Sequence, residues 1–127
     1  MIATTGTTVP TFFEQFAMTA VTHATLDDAL SEAPDGLSIL FLWGLNCPNC
    51  DVAKASLLRA PARFAWPDVR WLQCNVYDDM PMATRFSLHG APTFLVFRGG
   101  RSLGRMTGWP GADAFTAAIE RQRAHAS

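Results

Sequence analysis

At 127 residues the chain is long enough for one compact domain and too short for two of ordinary size. Its 49% hydrophobic and 17% charged residues describe a sequence able to bury a core, not a disordered tail. The formal net charge of −1, with Lys54 as the single lysine and the arginines scattered, excludes a phosphate-binding surface and with it nucleic acid as a partner.

The longest strongly apolar, uncharged run, residues 36–50, falls short of the ~20 residues that a bilayer requires, so no membrane partner is expected. Residues 1–18 carry no Lys or Arg ahead of their apolar positions, unlike a secretory leader. The expected compartment is the cytoplasm, and the expected state a monomer. Three cysteines, two of them close together at Cys47 and Cys50, argue against a disulfide-stapled scaffold and for catalytic or metal chemistry.

In chain order, residues 1–17 read as a loosely attached N-terminal extension, rich in Thr and Gly. In it Phe12, Phe13 and Phe16 provide for one or two helical turns against the body. Residues 18–127 read as the domain proper. A short edge strand over 18–23 precedes a helix from Leu26 to about Ala33, with Thr25 as its cap. Leu37, Ile39, Leu40, Phe41, Leu42 and Trp43 make the most apolar segment of the chain. Continuous rather than alternating apolarity predicts a central strand buried on both faces.

A helix is expected from Pro48, whose missing N–H suits a first turn. Val52, Ala53, Leu57 and Leu58 form its apolar stripe, and Pro61 ends it. A strand follows over 69–76, then a short helix capped by Asp78 or Asp79 and carrying Met82 and Phe86. Strands at 94–97 and 103–107 flank the turn Arg98-Gly99-Gly100-Arg101. A helix over 111–124, with Phe115, Ala118, Ile119 and Gln122 on one side, closes the chain. The order β-α-β-α-β-α-β-β-α requires an α/β fold, a mixed sheet of about five strands with helices on both faces.

The chemistry concentrates at Trp43-Gly44-Leu45-Asn46-Cys47-Pro48-Asn49-Cys50, where the central strand gives way to a helix. A thiol attacks a disulfide only as thiolate. Cys47 stands just before the helix, where open N–H groups and the helix dipole favour an anion. Cys50, one turn later, is placed to attack a mixed disulfide formed at Cys47. The roles follow: Cys47 nucleophile, Cys50 resolving thiol. Asp51 has the wrong sign to help the thiolate. Zinc is the competing reading, but it wants four ligands, and Cys74, His23, His89 and His125 lack the spacing of a second pair. Cys74 itself reads as a small buried hydrophobe.

These features together resemble the thioredoxin family over about residues 19–124. The resemblance rests on Trp43 with Cys47-Pro48-Asn49-Cys50, on Ala91-Pro92-Thr93, on the Phe97-Arg98-Gly99-Gly100 turn and on Gly108. It implies a thioredoxin-like fold and a protein-disulfide oxidoreductase with neither metal nor organic cofactor. Protein disulfides would be its substrates, and a thiol reductase or small thiols its electron donor. It also implies a cis peptide bond before Pro92, facing the cysteines. The Ala91 backbone would pair with an extended substrate segment, and Gly108, Trp43 and Trp109 would border the same groove. The family's Gly-Pro between the cysteines is Pro48-Asn49 here, and its Trp before the first cysteine is Asn46. Its buried Asp and companion Lys are matched by Phe41 and Gln73, which removes an obvious proton acceptor. A non-catalytic binding module and a redox sensor are the alternatives. His89 reads as a surface residue, Trp66 and Trp71 as core or cover.

Overall fold

The computed structural model describes residues 8–125. The first seven residues of the expected extension, and with them the start of the segment inspected for a leader, lie outside the described residues. Five strands form one mixed sheet: β1 (Thr19–Ala20), β2 (Leu37–Trp43), β3 (Val69–Asn75), β4 (Thr93–Arg98) and β5 (Arg101–Thr107), in the order β1-β3-β2-β4-β5. β2 runs parallel to β3 and antiparallel to β4, and β4 pairs antiparallel with β5. The helices are α1 (Thr8–Gln15), α2 (Leu26–Ser31), α3 (Pro48–Arg59), α4 (Met80–Arg85) and α5 (Ala112–Ala124), with a 3-10 turn at Pro61–Phe64.

The continuous apolarity of β2 has its cause in two cores. Ile39, Phe41 and Trp43 face one cluster, together with Phe12 of α1 and Phe16 just after it, Ala53 and Leu57 of α3, and Phe115 and Ile119 of α5. Leu40 and Leu42 face the other, with Leu26 and Leu30 of α2 and Met82 of α4. Every residue of β2 is buried, as a central strand of a two-faced sheet requires.

Four expectations are corrected in detail. The described aromatics ahead of β1 are not loosely attached: Phe12 is 1% exposed and Phe16 6%, both inside the first core. The buried face of α3 is Cys50, Ala53, Lys54 and Leu57, while Val52 points to solvent at 51% exposure. The edge strand spans only two residues. Thr25 stands at the start of α2 without capping it, because its hydroxyl oxygen accepts the N–H of Thr22 at 2.9 Å.

Asp79, of the two aspartates considered, caps α4 by accepting the N–H of Met82 at 3.2 Å. Its other oxygen accepts the N–H of His23 at 2.7 Å, and the His23 ring adds a contact at 2.7 Å. Burial pushes the Asp79 carboxyl up, but these donors outweigh it and the net displacement is downward. A carboxylate with a lowered folded-state value contributes stability above its ordinary value, and that contribution is lost as pH falls through the lowered one. Asp79→Ala is expected to cost about 1–2 kcal/mol at neutral pH. The gap to the parent narrows below the ordinary carboxylate value of 3.8. Urea midpoints across the acid limb check it; a gap that stays constant there would refute the assignment.

Candidate active site

β2 ends at Trp43, and Gly44, Leu45 and Asn46 carry the chain from strand into α3. Asn46 turns it with φ of 53°, a left-handed conformation that Asn tolerates better than most residues. Cys47 is the N-cap of α3. Its backbone is extended (φ −119°, ψ 97°), and its Sγ accepts the N–H of Cys50 at 3.2 Å. Pro48 fills the first helical position. The sulfur therefore lies on the open N–H groups at the positive end of the helix.

Cys47 and Cys50 form a disulfide, with their Cα atoms 5.2 Å apart. The two sulfurs differ in access. Cys47 is partly exposed, whereas Cys50 is fully buried. An incoming thiol or disulfide thus meets Cys47 first.

Facing Cys47 is the loop before β4. The Ala91–Pro92 peptide is cis, as the resemblance implied, and the Ala91 carbonyl oxygen lies 3.5 Å from Cys47 Sγ. Thr93 Oγ1 donates to the Gly90 carbonyl at 2.8 Å, which closes this loop. The Pro92 carbonyl accepts the N–H of Gly108 at 2.7 Å. Gly108 has φ of 80°, and a Cβ there would meet nothing within 4 Å. Its requirement for glycine is therefore conformational, not steric.

The structure brings Cys47, Cys50, Ala91, Pro92 and Gly108 together, seats Trp43 in the core and packs Trp109, half-buried, against it. Trp43 is 6% exposed; its Nε1 donates to Gln73 Oε1 at 2.7 Å and its ring packs beside Phe13. Trp109 is half-buried against Phe94 and Phe115, ring centroids 5.8 and 5.2 Å away. His89 is exposed, as expected. Cys74 is buried, and desolvation, reinforced by nearby Asp79 and Asp78, pushes its thiol up to about 11. Among the described residues no group of three or more His, Cys, Asp or Glu side chains is placed to hold a metal, and no helix is long and apolar enough to cross a membrane.

Phe41 and Gln73 are direct partners in the β2–β3 register. Phe41 is fully buried and stacked on Phe94 at 5.0 Å. Aromatic packing thus fills the position where the resemblance implies a buried carboxylate.

Two features of the site escaped sequence reasoning. Leu45, Tyr77 and Met80 are exposed at 49%, 60% and 60%. Tyr77 and Met80 line a cleft of about 170 Å³ with Gly90 and Ala91. The Tyr77 ring lies so near Gly44 that a Cβ there would come within 2.8 Å of it. Nothing in the composition of residues 76–80 announces that they meet Gly44 and Ala91. The second feature is Lys54, buried one turn beyond Cys50. Its signal was the spacing 50, 53, 54, 57, a helical stripe once a lysine is admitted to it.

No protein-family model and no curated protein sequence matches the chain. Solved structures do. Thioredoxin f2 of Chlamydomonas reinhardtii superposes with a TM-score of 0.71 at 21% identity, covering 84% of this chain and 96% of its own. Thioredoxin f from spinach chloroplast, short form, gives 0.73 at 20% identity, covering 84% and 93%. A mutant thioredoxin from Halobacterium salinarum NRC-1 gives 0.67 at 19%, covering 81% and 88%. A five-stranded mixed sheet with its strand order and cis-proline loop, aligned over nearly the whole of these chains, gives this protein the thioredoxin fold.

Proposed function

We propose that the protein is a thiol–disulfide oxidoreductase acting on protein disulfides through Cys47 and Cys50. One observation carries the reading: a reachable sulfur, Cys47, rests on the N-terminal N–H of α3 while its partner, Cys50, is sealed beneath it. That asymmetry divides the labour of disulfide exchange. Cys47, as thiolate, attacks a substrate disulfide and becomes joined to one of its sulfurs. Cys50 then attacks Cys47, the substrate's second thiolate leaves, and the enzyme is left with the intramolecular disulfide.

In this reading the Ala91 backbone beside Cys47 pairs with an extended substrate segment, and Gly108 keeps the opposite wall low. Trp109 supports that wall from the core. Trp43 supports the Cys47 turn from below, and Leu45, Tyr77 and Met80 supply apolar contact. A thiol reductase or small thiols regenerate the dithiol. In this reading the chain works as a monomer in the reducing cytoplasm, where such a dithiol can cycle.

The test is reduction of insulin by dithiothreitol with catalytic amounts of the chain. We expect precipitation of the insulin B chain well ahead of dithiothreitol alone; a rate equal to that background would reject the proposal. The exposed Leu45, Tyr77 and Met80 also favour a second reading, a docking module whose cysteines are incidental. Partner binding that survives Cys47→Ser in a chain without reductase activity would select it.

A further inference from the structure

Lysine ammonium groups stay in water or find a counter-charge, because burying one alone is costly. Lys54 does neither. It is 4% exposed, and its Nζ has no hydrogen-bond partner among the described residues. Its surroundings are aromatic: Nζ lies 4.3 Å from the centroid of the Trp43 ring, 5.9 Å from Phe13 and 6.0 Å from Phe12.

The titratable groups around it are few. On α3 itself, Asp51 favours the ammonium. α1 offers Phe12 and Phe13, with Glu14 beside them turned to solvent. β2 and β3 offer Trp43 and Gln73, which do not titrate. Burial outweighs Asp51 and pulls the Lys54 ammonium below the ordinary lysine value. A lysine so placed is a candidate base.

The reacting group nearest along the helix is Cys50. Residues four apart on a helix face one another, with Cβ atoms about 5–6 Å apart, and helical side chains lean back toward the N-terminus. For Lys54 that direction is the side of Cys50, one turn back, and Nζ is found over Trp43. Cys50 needs a proton acceptor, since it is 0% exposed and must become a thiolate to attack. No buried carboxylate is free for this: Asp51, its neighbour on α3, is exposed, and the one buried carboxylate among the described residues, Asp79, is engaged by His23 and Met82.

We propose that the Lys54 amine accepts the proton of the Cys50 thiol as Cys50 attacks the mixed disulfide on Cys47. The proposal rests on the oxidoreductase reading above. The Cys50 proton moves to Nζ, and the Cys50 electron pair forms the new bond to Cys47. The bond from Cys47 to the substrate sulfur breaks, and the substrate thiolate leaves with its electrons. The ammonium then returns the proton to solvent.

Reaction of the reduced chain with the disulfide dithiobis(nitrobenzoate) separates the steps. A first thionitrobenzoate is released when Cys47 attacks, a second when Cys50 resolves the adduct. Cys74, buried and with its thiol raised to about 11, stays outside the count. Lys54→Met is expected to leave the first phase near the parent rate and slow the second roughly a hundredfold at neutral pH. The second phase of the variant should climb steeply with pH, while that of the parent levels off. A second phase unchanged in rate and pH profile overturns the proposal. Loss of the first phase in the parent overturns instead the oxidoreductase reading on which it rests.

Should Lys54→Met fail to fold, the parent alone decides. Carbon NMR titration of the Lys54 Cε should report a value below that of an ordinary lysine, and one that differs between the dithiol and disulfide forms. Identical, ordinary titration in both forms refutes the role.

Discussion

Cys47→Ser is expected to abolish insulin reduction outright, whereas Cys50→Ser should leave one half-reaction intact. The difference follows from burial. In Cys50→Ser the outer sulfur still rests on the helix N-terminus and still attacks, but the group that would release the product is now a hydroxyl. The variant should accumulate as a covalent adduct with its substrate, visible as a mass increase equal to one substrate chain and removable by dithiothreitol. The parent should show no such adduct at steady state. If Cys50→Ser turns over while Cys47→Ser traps substrate, the two roles are reversed. The effect on Cys47→Ser is the largest expected here, because no second exposed thiol stands among the described residues to replace it: Cys74 is buried on the other face of the sheet.

The largest structural effect belongs to Phe115. Its ring stacks on Trp71 at 5.8 Å and meets Phe94 at 5.0 Å, Trp109 at 5.2 Å and Phe64 at 5.9 Å. Removing it leaves a hole walled by four rigid rings that cannot collapse into it. Phe115→Ala is expected to lose about 3–5 kcal/mol, a large part of the about 5–15 kcal/mol a domain possesses. The melting temperature should fall by roughly 10–20 °C. Calorimetry on the oxidised chain reads it directly, and a fall of less than about 3 °C would mean the cluster repacks. Trp109 leans on the same ring, so its edge of the candidate groove should loosen first.

Much of this was legible in the sequence because the signals were local. Seven successive buried residues in β2 are written as an apolar run, and Pro48 after Cys47 marks a helix start. Phe41 and Gln73, which the resemblance matched to the family's Asp and its Lys companion, are partners in the strand register. What escaped was decided by tertiary contacts. Val52 counted as apolar yet faces solvent, and Lys54 counted as polar yet is buried, since the face of α3 is set by what α1 and β2 present to it. The first helix looked detached from its Thr- and Gly-rich composition, although Phe12 and Phe16 already stand at the four-residue spacing of one helical face. The Tyr77–Met80 wall could not be read at all, because no local pattern says which loops meet across the end of a sheet.

The packing of α1 bears on where this fold can be trimmed. Phe12 touches Phe41 of the central strand across 6.4 Å, and Phe16 meets Trp71 across 5.3 Å. A fragment begun at the change of composition near residue 18 would open the sheet to water at its middle and uncover the amine of Lys54 in the same stroke. The smallest autonomous unit of this chain therefore starts with its first helix, and an enzyme shortened past it should lose solubility and the special character of its lysine together.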